Sequence, residues 1–202
     1  MFNVNHIIQS GGLLLLGLFL FAEVGLFLGF FLPGDTLLIA AGIYAMMGKM
    51  SLLAVIIVAT IAAIAGDSTA YYLGRRFGRS FFKKEDSLLF DPKHIARAEH
   101  YYQKYGSKTV LMAHFVPVIR TFNPLVSGIA RMPYRKFLMF DAIGDLAWAI
   151  TVSLVGYYIG SKIPNVDHYI LYVVGLVIIV SIAPTIVHLV LRKRKLDRNK
   201  NL

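Results

Sequence analysis

The stretch KTVLMAHFVPVIRTFNPLVSGIAR, residues 108–131, decides how this chain is organised. It is apolar over most of its length but carries Arg120 near its middle, together with Pro117, Asn123 and Pro124. A guanidinium keeps its charge in apolar surroundings, so its placement there is costly. Along a helix, Arg120 lies about 15–18 Å from either end, which is half of a hydrocarbon core of about 30 Å. We therefore predict a re-entrant hairpin that enters and leaves the membrane on one side.

The composition is that of an integral membrane protein. Of 202 residues, 57% are hydrophobic and 16% are charged, and the mean hydropathy is +0.64. The net charge is +10, and much of it lies in three clusters, Arg75–Lys84, Arg131–Lys136 and Arg192–Lys200. Because these clusters flank apolar segments, they indicate cytoplasmic loops and exclude nucleic acid as a partner. The absence of cysteine removes disulfides and thiolate metal sites.

Three segments are apolar enough over about 20 residues to cross a bilayer: Leu52–Gly74, Phe137–Gly160 and Tyr169–Leu191. Leu13–Met47 is predicted to be the first hairpin, with its tip at Pro33-Gly-Asp35. The length of Leu13–Leu32 also suits a complete crossing, so the side of the N-terminus stays open. Lys93–Tyr105 mixes charged and apolar residues, which predicts an interfacial amphipathic helix.

The fold class predicted is an all-α integral membrane protein with one membrane domain. The first half spans residues 13–74, a cytoplasmic arm 75–107, the second half 108–160, the last transmembrane helix 169–191 and a basic cytoplasmic tail 192–202. The two halves resemble each other weakly. Tyr71-Tyr-Leu-Gly74 recurs as Tyr157-Tyr-Ile-Gly160, and Ala41-Gly42 as Ser127-Gly128, each 86 positions later. Inverted repeats with broken helices at mid-membrane are typical of transporters, although chance similarity between apolar segments is the alternative.

The predicted hairpin tips carry the chemistry. Asp35 or Thr36 can cap one helix and Asn123 another, so that both helix N-termini point into the membrane and favour an anion. Arg120 adds a planar group suited to phosphate or carboxylate. Glu23 and Asp35, as carboxyl groups in apolar surroundings, suit proton binding and release. We predict that a carboxylate pairs with Arg120 until phosphate replaces it.

Other ionisable residues have structural explanations. Asp67 can pair with Arg75 or Arg76, and Asp141 and Asp145 share a helix face near the 131–136 cluster. Asp35 can serve as a helix N-cap and nothing more, and Arg120 can belong to a static ion pair. The spacing of residues indicates no catalytic residue, no metal ligand set and no cofactor, so an enzyme is not predicted.

Four motifs together resemble the DedA family of bacterial inner-membrane proteins, also described as SNARE-associated or VTT-domain proteins. They are Glu23 with Phe31-Leu-Pro-Gly-Asp35, Gly66-Asp67 with Tyr71-Tyr-Leu-Gly-Arg75, His114 to Pro124, and Gly156-Tyr-Tyr-Ile-Gly160. The resemblance implies facing re-entrant hairpins, dependence on the proton gradient, and translocation of lipids, with undecaprenyl phosphate in bacteria. It implies an acidic pair at Glu23 and Asp35 and a basic pair at 114 and 120, where only Arg120 matches. His114 would hold phosphate only when protonated.

The predicted function is a proton-coupled lipid-phosphate translocase in the bacterial inner membrane, with a cytoplasmic C-terminus and undecaprenyl phosphate as substrate. The predicted phosphate-binding residues are Arg120, His114, Asn123 and Thr121, and Glu23 and Asp35 are the proton-coupling residues. Membrane lipids and protons are the partners, and a homo-oligomer stays open. The alternatives are a proton-coupled antiporter for small cations or drugs, a general phospholipid scramblase, and a non-transporting scaffold.

Overall fold

A computed structural model describes residues 4–25, 34–81, 108–114 and 117–162, and its regular elements there are all helices. The helices are α1 (Val4–Gly25), α2 (Gly34–Met46), α3 (Leu52–Phe81), α4 (Lys108–Ala113), α5 (Pro117–Ile129) and α6 (Tyr134–Lys162). The predicted all-α class is confirmed. The amphipathic helix predicted at Lys93–Tyr105, the crossing at Tyr169–Leu191 and the basic tail lie outside the described residues.

Two helices, α3 and α6, are long and apolar enough to cross a membrane, over Leu52–Phe77 and Tyr134–Lys162. They contain the predicted crossings Leu52–Gly74 and Phe137–Gly160. Each presents a stripe of large apolar side chains at helical spacing on its outer surface. The stripes are Leu53, Ile57 and Ile61 on α3, and Met139, Ile143, Leu146, Ile150 and Leu154 on α6. Exposed apolar stripes that surround buried polar groups suit a lipid environment.

The break in the second half lies earlier than predicted. We expected a tip at 120–124 with Asn123 as a cap, but α5 runs from Pro117 to Ile129 with Pro124 inside it. Pro117 fits the first helical position, where its missing N–H is not needed. Pro124 removes only the bond to the carbonyl of Arg120, which a helix packed on α3 tolerates. Arg120 therefore lies in the first turn of α5, and Asn123 lies within the helix.

The first half contains two helices before the crossing. α1 is continuous over 22 residues, or about 33 Å, so it is longer than the predicted hairpin leg that begins at Leu13. α2 begins at Gly34, which agrees with the predicted helix start near Asp35 or Thr36. Residues 26–33 between the two helices, which include Pro33, lie outside the described part of the chain.

The helices of the two halves pack reciprocally. α1 packs on α3 and α4 packs on α6, whereas α2 packs on α6 and α5 packs on α3. The second helix of each half therefore lies against the long helix of the other half, and α3 contacts α6 between them. An inward stripe of α6 is buried along its whole length, so the core lies where the long helices meet the shorter ones.

Glycines set the two crossed contacts, because a Cβ at any of them would collide with backbone. Gly42 of α2 lies on the carbonyl of Ser153, and Gly128 of α5 lies on the carbonyl of Tyr71. In return, Gly156 of α6 lies on the carbonyl of Ile39, and Gly74 of α3 lies on that of Leu125. These contacts make Gly156 the structural counterpart of Gly74. The repeated Tyr-Tyr motif suggested Gly160 instead, which lies one helical turn later.

Candidate functional site

Arg120 and Asp35 form an ion pair between the first turns of α5 and α2. Arg120 Nη1 donates to Asp35 Oδ1 at 2.8 Å. The arginine side chain is only 6% exposed, whereas that of Asp35 is 44% exposed, so the pair is open on the aspartate side. Arg120 Nε, which is buried, has no hydrogen-bond partner among the described residues. The guanidinium therefore keeps a donor that a second acceptor can use.

Trp148 of α6 completes the surroundings of this pair. Its Nε1 donates to the same Asp35 Oδ1 at 2.9 Å. The guanidinium carbon of Arg120 lies 3.5 Å from the centre of the indole ring, a close cation–π contact. Trp148 holds both partners, and no sequence motif had indicated it.

Glu23 of α1 lies beside the pair. It is 7% exposed, and its carboxylate packs against the backbone of Gly34, where a Cβ would collide with it. Arg120, Asp35 and Asp67 are close enough to act on its charge. Its Oε2 has no hydrogen-bond partner in the described structure. We call Glu23, Asp35, Arg120 and Trp148 the arginine cluster.

Thr121 and Asn123 follow Arg120 on α5. Asn123 is buried, and Thr121 is partly buried. Both side chains lie within one helical turn of Arg120. The Arg120–Asp35 pair joins the first turns of α2 and α5, so the dipoles of both helices add partial positive charge there. This arrangement can hold an anion in place of Asp35.

His114, the other basic residue predicted to bind phosphate, lies among carboxylates. Its Nε2 is 3.3 Å from Asp145 Oδ1, 3.6 Å from Asp141 Oδ1 and 3.9 Å from Asp67 Oδ2. We call these four residues the histidine cluster. For Asp67, Asp141 and Asp145, the sequence suggested salt bridges with basic residues nearby in the chain. All three carboxylates instead face His114. Arg75 instead donates to the hydroxyl of Tyr71 at 3.2 Å.

The histidine cluster is buried, with exposures of 3% for His114, 1% for Asp67 and 0% for Asp141 and Asp145. The cluster adjoins the arginine cluster, because Asp141, Asp145 and Trp148 share the buried face of α6. Arg120 is also close enough to act on the charge of Asp67. The sequence signal for this cluster was a pair of acidic residues four apart in an apolar segment, Asp141 and Asp145. We interpreted them as salt-bridge partners of the basic 131–136 cluster.

Comparison with known proteins gives the family. The family model of the VTT domain matches residues 32–158, which include α2 to α5 and most of α6. Protein DedA of Escherichia coli K12 is 38% identical over 187 residues, covering 91% of this chain and 84% of that protein. This chain belongs to the DedA family of VTT-domain membrane proteins. The arginine and histidine clusters thus lie largely inside its VTT domain, with only Glu23 before the matched region.

Other relatives of this DedA-family chain are also bacterial membrane proteins. An uncharacterised membrane protein of Mycobacterium tuberculosis is 37% identical over 169 residues, covering 83% of this chain and 74% of that protein. Undecaprenyl phosphate transporter A of Bacillus subtilis is 29% identical over 164 residues, covering 81% of this chain and 83% of that protein. No solved structure matches this chain.

Proposed function

We propose that this protein is a lipid-phosphate translocase that returns undecaprenyl phosphate to the cytoplasmic leaflet of the bacterial inner membrane. The observation that carries the proposal is the Arg120–Asp35 pair, in which the Nε of a buried guanidinium has no partner among the described residues and the carboxylate is half-exposed. A phosphate monoester offers a planar guanidinium several acceptor oxygens, so it can replace Asp35. The Bacillus subtilis relative named as an undecaprenyl phosphate transporter supports the choice of lipid.

Exchange of one anion for another keeps Arg120 neutralised throughout. In the empty protein Asp35 occupies the guanidinium, and in the loaded protein the phosphate does. Thr121 and Asn123, on the same helix turn, are proposed to add hydrogen bonds to the phosphate. The prediction that His114 also holds phosphate stays a prediction. Its Nε2 faces three carboxylates, which would repel an anion, so Arg120 carries this proposal.

Protons are proposed to drive the exchange through Glu23 and Asp35. Phosphate binding would separate the Asp35 carboxylate from the cation that stabilises its charge, and a proton carried by this acidic pair is proposed to compensate for the lost contact. Glu23 lies buried, and its Oε2 has no partner in the described parts of the chain, which suits proton exchange with its neighbour. Release of the protons would restore the Arg120–Asp35 pair and expel the phosphate.

We further propose that the reciprocal packing reflects two inverted repeats, each with a half-deep hairpin, and that the C-terminus is cytoplasmic. The crossed contacts of α2 with α6 and of α5 with α3 support the repeat. The arginine cluster would then lie at mid-membrane, where the Arg120–Asp35 pair joins the two second helices. The isoprenoid tail would remain in lipid, so only the headgroup would need this polar route.

Reconstitution into vesicles tests the function. A fluorescent polyprenyl phosphate is incorporated, and a membrane-impermeant quencher reports the fraction in the outer leaflet over time, with and without a pH gradient. We expect exchange with the wild type and with Arg76→Gln, a matched change of an exposed arginine, and loss with Arg120→Gln. Absence of exchange by the wild type rejects the proposal. Equal exchange of phosphatidylcholine favours a scramblase, and cation transport that survives Arg120→Gln favours the antiporter.

A further inference from the structure

We propose that the histidine cluster of Asp67, His114, Asp141 and Asp145 binds one divalent first-row transition metal ion, of the class Mn²⁺, Fe²⁺ or Zn²⁺. The proposed phosphate exchange at Arg120 does not use this cluster, so the inference stands apart from it. The four residues come from three separate parts of the chain: α3, the residue after α4, and α6. Only Asp141 and Asp145 are close together in the sequence, so ligand spacing alone does not indicate the complete site.

The distances suit one ion. One ligand atom from each residue can be chosen so that all four lie within 4.8 Å of one another. His114 Nε2 lies 3.3, 3.6 and 3.9 Å from its three carboxylate neighbours. Ligands at about 2.0–2.2 Å from a tetrahedral ion are separated by about 3.4 Å. An ion at the centre would therefore require only small side-chain adjustments.

The tautomer of His114 points to a cation. Its Nδ1 lies 2.9 Å from the carbonyl oxygen of Val110, which can only accept, so Nδ1 carries the proton. In the neutral ring Nε2 then presents a lone pair to the carboxylates. Nε2 has no hydrogen-bond partner in the part of the chain that the structure describes, and it is buried. A backbone carbonyl that fixes the remote nitrogen is the usual support of a metal-binding histidine.

The charge of the cluster also calls for a cation. Asp67 Oδ1 and both oxygens of Asp141 and of Asp145 are buried without hydrogen-bond partners among the described residues. Three carboxylates at this distance repel one another strongly away from water. Arg120, a permanent cation that acts on the charge of Asp67, is already paired with Asp35. A divalent ion would bind these unsatisfied oxygens and reduce the repulsion between the carboxylates.

The donor set limits the kind of ion. Three carboxylates favour hard ions, Mn²⁺ among them, whereas an imidazole suits Fe²⁺ and Zn²⁺ better than Mg²⁺ and Ca²⁺. Gly144 contributes by lacking a side chain: a Cβ there would meet the imidazole ring, with Nδ1 only 2.5 Å away. The glycine thus leaves the space that lets His114 approach both aspartates of α6.

Manganese binding by the full-length protein tests the site. The detergent-solubilised chain is stripped with a chelator and titrated with Mn²⁺ under electron paramagnetic resonance, and Zn²⁺ content is measured by elemental analysis. We expect one ion per chain, with spin-echo modulation from one imidazole nitrogen. His114→Gln and Asp145→Asn should weaken Mn²⁺ binding by about 100-fold. Asp35→Asn, which removes a carboxylate of the arginine cluster, should leave it unchanged.

Metal binding by the wild-type protein tests the proposal even if the variants fail to fold. No stoichiometric Mn²⁺ or Zn²⁺, or bound Mn²⁺ without nitrogen modulation, overturns the proposal. Equal binding by the folded wild type and a folded His114→Gln variant overturns it as well. Because metal content is measured without lipid, failure here leaves the lipid-phosphate proposal standing, and loss of lipid exchange leaves the metal site standing.

Discussion

Arg120 and Asp35 are 85 positions apart in the chain, yet Nη1 of one donates to Oδ1 of the other at 2.8 Å. The contact joins the first turns of two helices that belong to different halves of the protein. It also explains how a permanent cation is kept in an apolar fold, since an arginine is tolerated there only with a partner. In the proposed function, the same contact occupies Arg120 until phosphate replaces Asp35.

Arg120→Lys should lower exchange of the fluorescent lipid phosphate by about tenfold, whereas Arg120→Gln should abolish it. Lysine keeps the charge but loses the planar group that binds two oxygens and lies on the Trp148 ring. Initial rates in vesicles with equal protein content check this. Wild-type rates in Arg120→Lys would show that charge alone is sufficient.

Asp35→Asn should bind lipid phosphate more tightly, by about tenfold, because the competing carboxylate is gone, yet it should fail to transport. It should also destabilise the protein by roughly 1–3 kcal/mol, because the buried Arg120 guanidinium loses its charged partner. Equilibrium binding in detergent and a melting curve measure both effects. Weaker binding in the folded variant would contradict displacement of Asp35 by phosphate.

Glu23→Gln should fold and should still exchange lipid phosphate slowly, but it should no longer respond to a pH gradient. Glutamine has nearly the same shape and cannot take up a proton. The measurement compares exchange rates in vesicles with equal and unequal internal and external pH. A gradient response equal to that of the wild type would remove Glu23 from the coupling step.

Gly42→Ala and Gly128→Ala should each destabilise the protein by about 1–3 kcal/mol, because the added methyl group meets backbone across a crossed contact. Gly11→Ala is the matched control. It has no neighbour within 4 Å of the added carbon, so it should be neutral or stabilising by up to about 1 kcal/mol. Thermal unfolding in one detergent compares the three, and equal melting temperatures would contradict the reciprocal packing.

Periodicity and local chemistry predict part of this fold well. The long apolar helices α3 and α6 are evident from apolar length alone, and the helix start near Asp35 is evident from its turn chemistry. The break near Pro117 was misplaced because two prolines and an asparagine offered competing breaks within eight residues. Tertiary packing determines which of these residues breaks the helix, and the local sequence does not contain information about that packing.

The functional site was likewise predicted from the sequence only in part. An arginine in an apolar stretch requires an acidic partner, so pairing with Asp35 or Glu23 follows from charge. The role of Trp148 does not follow, since an apolar segment with one tryptophan is typical of any membrane helix. Asp67, Asp141 and Asp145 were assigned to basic loops near them in sequence, but burial brings them to His114 through contacts between α3 and α6.

Trp148 supplies the most direct test of the central claim, because it is the chain's one tryptophan and contacts both Arg120 and Asp35. Its fluorescence is followed while undecaprenyl phosphate or the uncharged alcohol undecaprenol is added to the detergent-solubilised protein. Displacement of Asp35 predicts a saturable spectral change with the phosphate, none with the alcohol, and none in Arg120→Gln. An identical change with the alcohol, or a change that persists in Arg120→Gln, would contradict phosphate binding at Arg120.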